Sequence, residues 1–132
     1  MKREIKFRGW RRKYQCWEYG YLIECPAPEL NEIVEVNKSG GRIIAAVERD
    51  SIGQYTGLHD KNGREIYEGD VVDIGLKGQD GKLVLSPVIY GEHIAGYVLD
   101  NGGKGIWQRL TEDCKVIGNV FENPEILEAR HD

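Results

Sequence analysis

Between Gln54 and Val72 the chain reads Gln-Tyr-Thr-Gly-Leu-His-Asp-Lys-Asn-Gly-Arg-Glu-Ile-Tyr-Glu-Gly-Asp-Val-Val, and this stretch restricts the backbone more than any other. Asn and Gly accept positive φ, so Asn62-Gly63 within Asp60-Lys61-Asn62-Gly63 signals a tight turn. Gly69 and Asp70, in Glu68-Gly69-Asp70, mark a second turn a few residues later. The two turns bracket a short strand-like run. Asp70 is expected to stabilise its turn by accepting backbone hydrogen bonds rather than to act as a catalytic acid.

The same punctuation recurs along the chain. Gly is high at 17 of 132 residues, and most glycines lie between short apolar runs, a pattern of many strands joined by turns. Ile5 to Trp10 alternates apolar and basic residues as a half-buried strand does, Arg11-Arg12-Lys13 is expected to turn, and Tyr14 to Ile23 resumes as an aromatic-rich strand broken at Gly20. Pro26 and Pro28 open a loop. Ile33–Val36 and Arg42–Val47 flank Lys38-Ser39-Gly40-Gly41 as a hairpin, with Val34 and Val36 facing inward. Val71 to Ile74 is a further strand, Gly75 to Lys82 a mobile loop, and Leu83–Tyr90 with Ile94–Asp100 another hairpin. Pro87 places the first of these two strands at an edge or a bulge. Asn101 to Gly105 is a turn, Ile106-Trp107 a strand continuation, Thr111-Glu112-Asp113 a helical turn and Lys115–Phe121 the last strand. Asn123-Pro124-Glu125 has the form of a helix start, so Glu125 to Arg130 is expected to be a short helix. No internal repeat or low-complexity tract stands out. The fold class is all-β, a sandwich or a small SH3-like barrel, with a short C-terminal helix; the barrel rests on analogy with Glu-Gly-Asp-Val-Val turns. The length suits one domain, residues 1–132, able to bury a core without staples.

Charge and cysteine usage limit the function classes. A net charge of −4 argues against a general nucleic-acid binder. No apolar run approaches the roughly 18 residues of a membrane span, and the charged start is unlike a secretory signal, so a cytoplasmic protein without membrane contact is expected. Cys16, Cys25 and Cys114 have no regular spacing and read as reduced thiols, with a Cys16–Cys25 disulfide as the minor alternative. The histidines His59, His93 and His131 form no close ligand pairs with them, so no metal and no cofactor are expected. His59 beside Asp60 points the opposite way on a strand, which gives no acid–base geometry, and Asn101-Gly102-Gly103-Lys104-Gly105 lacks the ending of a phosphate loop.

One functional constellation remains. Arg8, Trp10, Arg11, Arg12, Lys13 and Tyr14 crowd one hairpin, followed by Trp17, Tyr19 and Tyr21. Cations beside flat rings suit a single-stranded nucleic acid. The plainer expectation is that alternate aromatics are core and the charges are solvated, or neutralised by acids such as Glu122, Glu125 and Glu128.

Three blocks, in order, resemble the YopX protein family. They are Ile5–Trp10; Gln54–Leu58 with Asp60, Gly63, Ile66 and Tyr67–Val72; and Val116–Glu125. The resemblance implies a small β-rich protein of phages and prophages, with no established reaction, cofactor or substrate and so no catalytic residues to carry over. Arg11-Arg12-Lys13 departs from the acidic residue that family members often place after the early Trp. Together these features lead us to expect a non-enzymatic accessory protein that binds a host or phage protein and forms a homo-oligomer, with a nucleic-acid-binding module as the alternative.

Overall fold

The computed structural model describes residues 3–24, 30–36, 39–100 and 108–128. The protein is all-β, with a six-stranded and a five-stranded antiparallel sheet. Its contacts gather into two compact units, Met1–Tyr55 and Thr56–Asp132.

The first unit is a meander of β1 (Phe7–Arg11), β2 (Cys16–Ile23), β3 (Leu30–Val36) and β4 (Arg42–Glu48), followed by a 3-10 turn, Arg49–Ser51, and the start of β5 (Gly53–His59). β5 returns to pair with β1, which gives the order β4-β3-β2-β1-β5. Aliphatic side chains form its core: Ile33, Ala45 and Val47 are buried, with Phe7, Leu22 and Ile52 against them. Gly9 makes this packing possible. A Cβ on Gly9 would lie 2.7 Å from the Cβ of Val47, so β4 reaches β1 only because that position has no side chain. Ser51 fastens the same end. Its hydroxyl accepts from the Trp10 amide at 2.7 Å and donates to the Glu48 carbonyl at 2.6 Å.

In the second unit β6 (Glu65–Tyr67) lies beside β5, and β7 (Asp70–Lys77), β8 (Leu83–Gly91), β9 (Gly96–Leu99), β10 (Gln108–Arg109) and β11 (Lys115–Asn119) follow. Here the last strand again pairs with the first of the meander, in the order β10-β9-β8-β7-β11. Ile66, Val72, Val88, Leu99, Leu110, Cys114 and Val116 form its core. One helical turn, Glu125–Glu128, is described, and the rest of the expected helix lies outside the described residues.

The two units therefore share one strand order. They also share one hairpin design. Arg12–Tyr14 and Glu92–Ile94 are 3-10 turns, each followed by a left-handed residue, Gln15 or Ala95, both with φ 51°. Each hairpin carries a cross-strand edge-to-face aromatic pair, Trp10–Trp17 at 5.3 Å and Tyr90–Tyr97 at 5.5 Å. Such pairs stabilise antiparallel ladders by about 1 kcal/mol.

Several local expectations are corrected. β2 runs unbroken through Gly20. Residues 112–114 are bends rather than a helical turn, and β11 stops at Asn119 rather than Phe121. The expected loop after Gly75 is strand to Lys77, closed by a Gly78 amide bond to the Lys82 carbonyl at 2.8 Å. Pro87 lies in an interior strand rather than an edge, because β8 runs between β7 and β9, while the expected bulge has a counterpart in the register shift of the β7–β8 pairing between Asp73 and Lys77. The Pro87 carbonyl accepts from the Asp100 amide, just past the end of β9, and its missing N–H would face the same side, where the ladder has already stopped. The Pro26–Pro28 loop, Lys38, Cys25 and residues 101–107 lie outside the described residues.

Candidate functional site

The segment that constrains the sequence most is held by two carboxylates. Asp60, 6% exposed, accepts from the Asn62 and Arg64 amides on Oδ1 and from the Val116 amide on Oδ2, all at 2.9 Å. One side chain thus closes the turn into β6 and ties it to β11. Burial alone would raise its pKa, but the three amides and the Arg64 charge outweigh burial and leave it below the usual carboxylate value. Gly63 in that turn has φ 83°, the left-handed region that glycine enters without strain. Asp70 accepts from the Tyr67 amide at 2.8 Å, and Gly69 lies beside it in the following turn. This central block holds the backbone together.

The hairpin of β1 and β2 carries the basic and aromatic residues, and there the geometry departs from the sequence expectation. The aromatics are not core. Alternation along β2 puts Trp17, Tyr19, Tyr21 and Ile23 on the face opposite Leu22, and the register adds Arg8 and Trp10 of β1 to it. Continuing outward, Tyr21, Val34 and Ile44 form one row across β2, β3 and β4. Tyr21 and Ile44 are 61% and 53% exposed, and Val34 lies buried between them. The result is a contiguous aromatic and aliphatic face on the outside of the sheet. Alternation identifies such a face but not which side of a sheet the core occupies, so the sequence assigned it to the interior.

The cations are largely committed within the unit. Arg8 is buried with its guanidinium 4.4 Å from the Trp17 ring. Arg11 pairs with Glu18 at 3.6 Å and Arg12 with Glu48 at 3.0 Å. The counter-ions of Arg11 and Arg12 come from β2 and β4. Tyr14 is exposed, with Arg11 at 4.2 Å and Lys13 at 5.6 Å from its ring.

Other candidate chemistry is thin. Among the described residues no three His, Cys, Asp or Glu side chains gather as a metal-holding group. Cys16 and Cys114 are free thiols; burial first, then nearby carboxylates, raises both pKa values. A shallow depression of about 520 Å³ is lined by Leu22, Glu24, Asn31, Arg49 and Ile52, where Arg49 donates to Asn31 at 3.3 Å. None of these lining residues is a nucleophile. No helix among the described residues is long and apolar enough to cross a membrane.

By class, then, this is a small all-β protein of two five-stranded meanders with an apolar outer face on the first. The chain belongs to the YopX family: the model of the YopX protein matches residues 6–128, across both units. It is also similar to the crystal structure of protein EF1440 from Enterococcus faecalis, with 21% identity, 96% of this chain and 99% of that chain covered, and a TM-score of 0.57. At that identity the likeness concerns the fold. Comparison with curated proteins gives no match.

Proposed function

We propose that this is a non-enzymatic accessory protein of a phage or prophage, cytoplasmic, which binds protein through the outer face of β2–β4 and associates with itself through the same sheet. The observation that carries this is the set of exposed Tyr19, Tyr21, Ile23 and Ile44 on one face, with buried Val34 in register between Tyr21 and Ile44. Contiguous apolar surface rimmed by charge marks interaction sites on soluble proteins, and Tyr is favoured there because it buries area at low entropic cost. At the level of fold, we read each unit as SH3-like. A meander whose fifth strand returns to the first supports this in both units, as does the 3-10 turn before β5 in the first.

Sedimentation velocity over a wide concentration range tests the self-association. The wild-type protein is expected to shift from monomer to dimer, and a Tyr21→Ser, Ile44→Ser variant to remain monomeric while keeping its circular dichroism. A wild-type protein that stays monomeric throughout, or a variant that associates unchanged, would remove it.

A nucleic-acid-binding hairpin is the alternative, favoured by the exposed Tyr14 ring between Arg11 and Lys13. The ion pairs of Arg11 and Arg12 weaken it, since a phosphate would have to displace Glu18 and Glu48.

A further inference from the structure

A sheet edge is a row of backbone donors and acceptors ready to pair with another chain, and proteins blunt such edges with short strands, bulges or charges. Among the described residues, three of the four sheet edges are blunted. β6 has only three residues, and β10 only two, both polar. β11 begins at Lys115 and carries a register shift between Val116 and Gly118. β4 is different. It is an edge strand of seven residues, Arg42-Ile43-Ile44-Ala45-Ala46-Val47-Glu48, with no charge, proline or glycine between its ends. Its ladder with β3 is continuous over all seven positions, and Ile43, Ile44 and Ala46 are exposed.

The order of residues along β4 says what suits this edge. Arg42 lies three residues before Ala45 and Glu48 three after it. If two copies pair antiparallel about a two-fold axis at Ala45, each Arg42 stands opposite the other copy's Glu48, and Ile44 stands opposite Ala46. Opposed residues in an antiparallel ladder share a face, so the two ion pairs form on the same outer side as Ile44. A two-fold interface requires such self-complementarity. Moving the register by one residue would instead lose both charge pairs and turn Ile44 to the other face.

We infer that β4 is a self-pairing edge, through which two copies join their first sheets into one continuous sheet bearing a doubled apolar face. This rests on the self-association proposed above and adds its geometry. Arg12 already engages Glu48 at 3.0 Å, so the intermolecular pair shares that carboxylate with it. A single strand pair falls at the small end of interface sizes, so the dimer is expected to dissociate on dilution.

Charge reversal tests the register. Arg42→Glu puts Glu opposite Glu twice in a homodimer, and Glu48→Arg puts Arg opposite Arg twice. Mixed, the two variants restore both attractive pairs. Each variant alone is expected to sediment as a monomer under conditions where the wild type is a dimer, and the equimolar mixture to sediment as a dimer. The mixture also controls for folding, since an unfolded variant could not recover. A wild-type dimer that either variant retains, or a mixture that stays monomeric, would overturn β4 pairing while leaving self-association standing. A monomeric wild type would overturn both.

Discussion

Replacing Asp60 by Ala should be among the most damaging single changes in the second unit. The carboxylate satisfies three backbone amides. Asn62 and Arg64 are exposed, so water can take over their amides at little cost. Val116 is 5% exposed and its amide is left without an acceptor. An unsatisfied buried donor costs about 1–3 kcal/mol, and losing hydrogen bonds to a charged acceptor adds to that, so about 3–4 kcal/mol is expected at neutral pH. Asp60→Asn keeps an oxygen for the two turn amides but cannot accept from Val116 as well, which places it at about 2–3 kcal/mol. The pH dependence follows from the lowered pKa. An unfolded Asp titrates near ~3.9 and the folded group below that, so the ionised form's contribution is complete above the unfolded value and is lost as pH falls through the folded one. Urea unfolding followed by circular dichroism should therefore show a wide gap between wild type and Asp60→Asn at neutral pH that narrows in acid. A loss below about 1 kcal/mol for Asp60→Ala, or a gap indifferent to acid, would refute the structural role given to this carboxylate.

Two further expectations concern the first unit. Gly9→Ala should destabilise it by about 1–3 kcal/mol because the new methyl group meets the stiff, branched Val47; adding Val47→Ala should recover part of that loss, and strict additivity in denaturation would contradict the contact. Fluorescence anisotropy with a single-stranded oligonucleotide should show weak binding that vanishes with modest salt, because Arg11 and Arg12 are paired internally; tight binding abolished by Arg12→Ala with Tyr14→Ala would instead favour the nucleic-acid module.

The all-β class and most hairpins could be read from the sequence, because turns are local chemistry. The turn at Asn62-Gly63 needs only the positive φ of Gly63, and β6 lies between the two turns that bracket it. Non-local relations were hidden. Val116 donates to Asp60 across 56 residues, and nothing near either residue announces it. Pro87 suggested an edge because the rule concerns a missing donor, whereas the donor is missing only where β9 has ended. The candidate site was half legible. Alternation along β2 gathered Trp17, Tyr19 and Tyr21 on one face, but a greasy face looks the same whether it turns inward or outward. Val47 resolved that choice by filling the space above Gly9 on the opposite side. The shared strand order of the two units is a non-local relation, marked in the sequence only by the matched spacing of Trp10 and Trp17 with that of Tyr90 and Tyr97.

Hydrogen–deuterium exchange at low and high protein concentration tests the role of this sheet most directly. Self-association through β2–β4 predicts that amides of residues 42–48 gain protection as concentration rises, with smaller gains on residues 17–23 and none across β7–β11. Exchange that is independent of concentration on β4, or protection gained only in the second unit, would contradict it.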